Sequence, residues 1–209
     1  MDISMNSDAK FWDAIARKYA ARPVSDPEAY AHTLARTRNY MRQTDSVLEL
    51  GCGTGSTALA LGDACGAYLG TDVAPEMIAI ASEKEQGAGQ VSFAVSDSTM
   101  SGEADESRDV VLAFNLLHLL PDLDATLMRS AAVLKPGGYF ISKTPCLAGQ
   151  WYLRPVIAVM QVVGKAPFLR FLRPSDLDAR IKAAGFEIVE LAEHNKSTWG
   201  HFIVARKVH

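Results

Sequence analysis

The sequence predicts a single α/β domain around a mostly parallel sheet, and three observations carry that prediction. From Ser46 onward, short apolar runs alternate with helical patterns, the order that a parallel sheet with crossover helices requires. The run Asp109–Phe114 is apolar at nearly every position, as a strand buried on both faces should be. Val47–Leu50 breaks directly into three alternating glycines, Gly51, Gly53 and Gly55, and an Ala/Leu-rich stretch follows at Thr57–Leu61: strand, tight turn, helix.

Taken in order, Phe11, Trp12, Ile15, Ala16 and Tyr19 recur at helical spacing until Pro23 and Pro27 interrupt them. A second helix is expected from Pro27 to Met41, with Asp26 at its N-cap. Both precede the sheet, so they are candidates for a cover over the glycine loop. Strands are expected at Val47–Leu50, Ala67–Thr71, Val91–Val95, Asp109–Phe114 and Tyr139–Lys143. Helices are expected at Pro75–Glu85 and Leu123–Leu134, the second leading into a turn at Lys135-Pro136-Gly137-Gly138. The stretch Pro145–Arg173 reads as irregular and apolar. A helix over Ser175–Ala184, a Gly185 stop, and strands at Phe186–Ala192 and His201–Arg206 close the chain. No repeat, low-complexity tract or domain linker interrupts the pattern.

Composition excludes several classes. A chain of 209 residues buries a sizeable core without staples, and 48% hydrophobic with 22% charged residues is ordinary for a soluble globular protein. The net charge of −3 argues against a nucleic-acid backbone as partner. Cys52, Cys65 and Cys146 form no disulfide framework and no metal-binding pair, which points to a reducing, cytoplasmic setting without a metal. Met1–Lys10 is polar, unlike a signal peptide, and the longest nearly apolar run, Val110–Leu120, is too short to span a bilayer.

The glycine loop is where chemistry is expected. Glycines reach φ > 0 and place no Cβ between the backbone and a ligand, and the helix that follows aims free N–H groups at the same spot. The G-x-G-x-G spacing is one residue tighter than the dinucleotide fingerprint G-x-G-x-x-G, which weakens a nicotinamide reading. Asp72 stands at a strand end, where a carboxylate can accept both hydroxyls of a ribose; it could equally cap the Pro75 helix. Asp97-Ser98 ends the third strand and suits an exocyclic amine such as that of adenine. Phe114-Asn115 ends the fourth, where a side chain would meet the ligand's reactive end.

With these residues in hand, the chain resembles the class I S-adenosylmethionine-dependent methyltransferases, particularly their UbiE-like small-molecule group. The resemblance rests on Glu49-Leu50-Gly51-Cys52-Gly53-Thr54-Gly55, Gly70-Thr71-Asp72-Val73-Ala74-Pro75-Glu76-Met77 and Val95-Ser96-Asp97. Asp109-Val110-Val111 and Leu134-Lys135-Pro136-Gly137-Gly138 add to it. It implies a Rossmann-like, doubly wound sheet of seven strands, mostly parallel, with one antiparallel strand near the C-terminus. It implies that the chain binds S-adenosylmethionine and leaves S-adenosylhomocysteine. Gly51, Cys52, Gly53 and Gly55 would approach the methionine portion, Asp72 and Val73 the ribose, and Asp97 and Ser98 the adenine, with Met77 near the ring. Glu49 would orient the loop or a water near the amino group. Phe114 and Asn115 would stand at the reactive end, and Tyr19 would close over the cofactor.

The resemblance divides the domain into an N-terminal cover (1–44), a cofactor-binding core (45–145), an acceptor-side insert (146–174) and a closing helix with strands (175–209). His118, His194 and His201, with Tyr19 behind them, are the candidate general bases, and none is assigned that role. The insert carries many aromatic and aliphatic residues, with Arg154, Lys165, Arg170 and Arg173 and no acid. The readings of 147–173 that stay open are a packed helical lid with basic rims, an apolar acceptor pocket that takes an anionic group, or a face that touches a membrane. The function expected is methyl transfer to a small, apolar acceptor. A non-catalytic cofactor-binding module and a nicotinamide-dependent oxidoreductase are the alternatives.

Overall fold

A computed structural model describes residues 3–85, 87, 89–194 and 200–208. Its elements run α1 (Ile3–Ala20), α2 (Pro27–Arg38), β1 (Ser46–Leu50), α3 (Ser56–Leu61), β2 (Ala67–Asp72) and α4 (Pro75–Lys84). They continue with β3 (Val91–Val95), β4 (Arg108–Phe114), α5 (Leu123–Val133), β5 (Leu134–Pro145) and α6 (Leu153–Val162). The last are α7 (Pro174–Ala183), β6 (Phe186–His194) and β7 (Gly200–Lys207). The seven strands form one sheet in the order β3-β2-β1-β4-β5-β7-β6. Strands β1 to β5 pair in parallel, and β7 is antiparallel to both β5 and β6. β7 is therefore the one reversed strand. The strand order turns back between β1 and β4, which opens a crevice at their carboxyl ends.

The alternation of side chains along each strand fills two cores. On one face Leu48, Leu50, Val111, Phe140 and Ile203 pack against Leu123 and Leu127 of α5 and Leu177 and Ile181 of α7. On the other, Val47, Leu112, Ile141, Phe202 and Val204 pack with Ala58 and Leu61 of α3 and half-buried Leu34 of α2. Asp26 and Asp122 cap α2 and α5, accepting from Ala29 N at 2.9 Å and Ala125 N at 3.0 Å. Each such cap is worth about 1 kcal/mol. A smaller cluster seats α1 on α4 through Ala16, Met77 and Ile80. Here Asp13 of α1 accepts from Glu76 N at 2.9 Å and so satisfies a free N–H of the α4 first turn.

Two elements differ from expectation. Lys135–Gly138 is no turn between helix and strand: it lies inside β5, where pairing jumps from Arg108↔Leu134 to Val110↔Tyr139. Lys135 Nζ holds both oxygens of Asp109 at 2.8 and 2.9 Å, and Asp109 also accepts from Ser46 N at 2.8 Å. These residues lock β1, β4 and β5 at their amino ends, away from the crevice. The insert, expected to be irregular, contains the helix α6.

Candidate active site

β1 ends at Leu50, and the chain turns through Gly51, Gly53 and Gly55 with φ of +64°, +54° and +77° into α3. The three glycines serve different ends. A Cβ on Gly53 would meet nothing nearer than Tyr19 Cε1 at 4.0 Å, so its missing side chain opens onto the crevice. A Cβ on Gly55 would strike Phe93 at 2.7 Å and Ala81 at 2.9 Å, so that glycine lets α3 pack on the sheet and α4. A Cβ on Gly51 would strike Leu116 at 2.8 Å.

A cavity of about 550 Å³ lies over this loop. Of the residues singled out from sequence, Tyr19, Glu49, Gly51, Cys52, Gly53, Asp72, Val73, Met77, Asp97, Ser98, Phe114 and Asn115 all line it. Gly55 does not, because it is spent on packing. One end is polar, with Asp72, Ser96, Asp97 and Ser98 at the ends of β2 and β3. On the β4 side the lining is apolar, with Leu116, Leu119, Leu120 and Pro121, and Pro23 and Val24 after α1 and Pro167 of the insert add to the apolar lining. Asn115 makes that second wall possible: it takes φ +54°, which Asn tolerates, and turns the chain out of β4.

Charge in the cavity is acidic at its floor. Asp72 accepts from Gly53 N and Ala74 N, each at 2.9 Å, so it ties the loop to the start of α4. It does not cap α4, whose N-cap position is Ala74 and whose Glu76 N bonds Asp13. Burial raises the Asp72 carboxyl above its ordinary range, against the pull of those N–H groups. Glu49 is more deeply placed, at 2% exposure, with the Tyr68 hydroxyl donating to Oε2 at 2.9 Å. Desolvation, with Asp72 adding to it, pushes Glu49 up to about 7. Asp97 accepts from Thr99 N at 2.9 Å and from the Thr99 hydroxyl through Oδ1. Arg22, exposed and without an ion pair or side-chain hydrogen bond, is the one cation among the described lining residues.

Tyr19 hangs over Gly53 with its ring edge-on to Trp12 at 6.2 Å, and both line the cavity. Burial, and then the charge of Asp72, raises its phenol above the usual tyrosine range. The histidines stand elsewhere. His118 is buried in the 3-10 turn Leu117–Leu119, its Nδ1 has no hydrogen-bond partner among the described residues, and desolvation pushes it down to about 4, which keeps it neutral at physiological pH. His201 is buried on β7 with Nε2 at 2.7 Å from Asp178 Oδ1. Neither lines the cavity. The side chain of His194 lies outside the described residues.

Sequence reasoning missed Arg22, Tyr30, the Leu116–Pro121 wall and Asp13. The Leu116–Pro121 run had a signal, since apolar residues continuing past a strand end must find cover. Arg22 and Tyr30 had none, because their place depends on how α1 and α2 dock. The insert contributes only Pro167 to the lining.

Residues 48–142 match the family model of the methyltransferase domain. Over this stretch, somewhat under half of the chain, the protein is similar to the class I S-adenosylmethionine-dependent methyltransferases. The cofactor of this methyltransferase family is S-adenosylmethionine. The ubiquinone biosynthesis O-methyltransferase of Azorhizobium caulinodans is 28% identical over 152 residues, covering 70% of this chain and 60% of that protein. The chain thus spans under two thirds of that relative's length. A putative methyltransferase solved in complex with the Haloferax volcanii Trm112 activator aligns with TM-score 0.77 at 21% identity, covering 95% of this chain and 98% of its own. An S-adenosylmethionine-dependent methyltransferase from Methanosarcina mazei aligns with TM-score 0.68 at 21% identity, over 83% and 97% of the two chains. At these identities the two structures show a shared fold.

Proposed function

We propose that this protein transfers a methyl group from S-adenosylmethionine to a small, apolar acceptor. One observation carries the reading: a single cavity joins the glycine loop and two strand-end carboxylates to an end walled by leucine and proline. Its volume falls in the usual range for small-molecule sites.

The residues fit the cofactor. Gly53 leaves open the space that a Cβ would fill beside the methionine portion. The backbone bonds to Asp72 hold its carboxylate still, and the lone pairs that remain on both oxygens would accept the ribose hydroxyls. Asp97, whose Oδ2 is not engaged by Thr99, and Ser98 receive the adenine amine, with Val73 and Met77 against the ring. Glu49 faces the cofactor's ammonium end. When bound, the cofactor supplies a sulfonium methyl for in-line displacement by the acceptor's nucleophile. The protein's part is to align and to dry the site. Phe114, Asn115 and Leu116 position the acceptor, and Tyr19 and Trp12 on α1 exclude water.

In this reading 1–44 is the cover, 45–145 the cofactor core, 146–174 the acceptor-side insert with a membrane-facing side, and 175–209 the closing helix and strands. No side chain is assigned as general base. The place of action is the cytoplasm.

Titration calorimetry with S-adenosylhomocysteine tests the cofactor half. Asp72→Asn, which keeps one acceptor for the loop N–H groups, should weaken binding by about 1.5–3 kcal/mol through the lost charged hydrogen bonds. Unchanged affinity refutes the ribose assignment, and a wild-type protein that binds NAD but no S-adenosylhomocysteine refutes the function. A library of apolar acceptors, read by S-adenosylhomocysteine release, tests the other half; binding without release from any of them would make the protein a non-catalytic module.

A further inference from the structure

The helix α6 has no buried residue, which sets it apart from every other long helix of the sheet layers. At 100° per residue its inward side is Leu153, Ile157 and Gln161, all partly buried. The outward half is Trp151, Tyr152, Val156, Val159, Val162 and Val163, with Trp151 71%, Val159 65% and Val162 88% exposed. A continuous apolar face of this kind on one short element is not ordinary surface scatter. The cavity does not use it, since Pro167 alone of the insert lines that space.

The charge around the face says what covers it. From Cys146 to Pro174 the chain carries Arg154, Lys165, Arg170 and Arg173 and not one acid, in a protein whose net charge is −3. Arg154 lies over the Phe171 ring at 5.0 Å on the flank of α6, and Lys165 and Arg173 are exposed. A second copy docked face to face would set cations against cations. An anionic bilayer meets the same face with opposite charge and takes up the valines and the two amphipathic aromatics at its interface.

We propose that the outward face of α6 docks on an anionic lipid surface, with Trp151, Tyr152, Val156, Val159 and Val162 inserted and Arg154, Lys165 and Arg173 at the headgroups. The docked helix connects to the site over a short distance: Gln161 Nε2 donates to Pro167 O at 2.8 Å, and Pro167 is cavity wall. An apolar acceptor dissolved in the bilayer would then reach the cavity without crossing bulk water, a consequence that rests on the proposed function; the docking itself does not.

Sedimentation with phosphatidylglycerol vesicles and with phosphatidylcholine vesicles reads the docking directly, with no turnover needed. The wild-type chain should pellet with the anionic vesicles, less so as salt is raised, and stay in solution with the neutral ones. The paired substitution Val159→Glu and Val162→Glu, at exposed positions, should lower the bound fraction at least about tenfold with an unchanged urea midpoint. Lys165→Glu should lower it several-fold. Wild-type protein that stays in solution with both vesicles overturns the proposal, as does pelleting that the paired substitution leaves unchanged. A wild-type dimer in analytical ultracentrifugation that the same pair makes monomeric also overturns it, giving the face to a second copy.

Discussion

Removing the charge of Glu49 should make the cofactor-free protein more stable at alkaline pH and leave it unchanged at acid pH. The carboxyl is 2% exposed and has one side-chain partner, the Tyr68 hydroxyl at 2.9 Å, with Asp72 adding repulsion. Its value rises from 4.5 to about 7. A carboxyl whose folded value is raised favours the folded state when neutral. That contribution is complete below pH 4.5 and is lost as pH rises through about 7. The difference between the two values corresponds to about 3 kcal/mol between the limits. Glu49→Gln keeps an oxygen for the Tyr68 hydroxyl and never ionises. Urea unfolding of both proteins at pH 4, 5.5 and 8.5 should give nearly coincident stabilities at pH 4 and a gap opening to about 3 kcal/mol at pH 8.5 in favour of the variant. Asp72 is also raised by burial, so the wild-type slope alone mixes two groups, and the gap between the two proteins is the quantity to read. Saturating S-adenosylhomocysteine should narrow the gap at pH 8.5, because its ammonium favours the Glu49 carboxylate. A gap that is constant across pH refutes the reasoning.

Two further outcomes follow from the same geometry. Gly53→Val should abolish S-adenosylhomocysteine binding in calorimetry and cost about 1–3 kcal/mol of stability from its φ of +54°. Gly102→Val, where a Cβ meets nothing within 4 Å, is the control and should change neither. As the one cation among the described lining residues, Arg22 is the candidate partner of the cofactor's carboxylate, so Arg22→Gln should weaken S-adenosylhomocysteine about tenfold and leave 5′-methylthioadenosine, which lacks that carboxylate, unchanged. Equal losses for both ligands would mean that Arg22 only supports the loop after α1.

What could be read from the sequence divides by the range of the forces involved. The β1 turn was legible because three glycines in five residues constrain φ locally, and Asp72 and Asp97 because a strand end in a parallel sheet has a known place. Strand order and the reversed β7 came from resemblance, since the local patterns of β6 and β7 carry no direction. The glycine pattern could not tell Gly53, which opens onto the cavity, from Gly55, which holds Phe93 and Ala81 close: both have positive φ, and only the third dimension separates them. Asp13 illustrates the same limit. On its own helix it is a polar residue on a solvated side, and it becomes a cap only when Ala16 has docked on Met77 and brought it to Glu76 N. Asp109 and Lys135, which carry part of the resemblance, pair with each other at the amino ends of the strands, away from the site. α6 is the hardest case. Its composition announces an apolar surface, yet residue spacing alone cannot say whether that surface turns in toward an acceptor or out. The fold turns Leu153 and Ile157 inward and leaves the valines outside, so Pro167 alone of the insert lines the cavity, whose apolar lining comes from Leu116, Leu119, Leu120 and Pro121 after β4 and from the loop after α1.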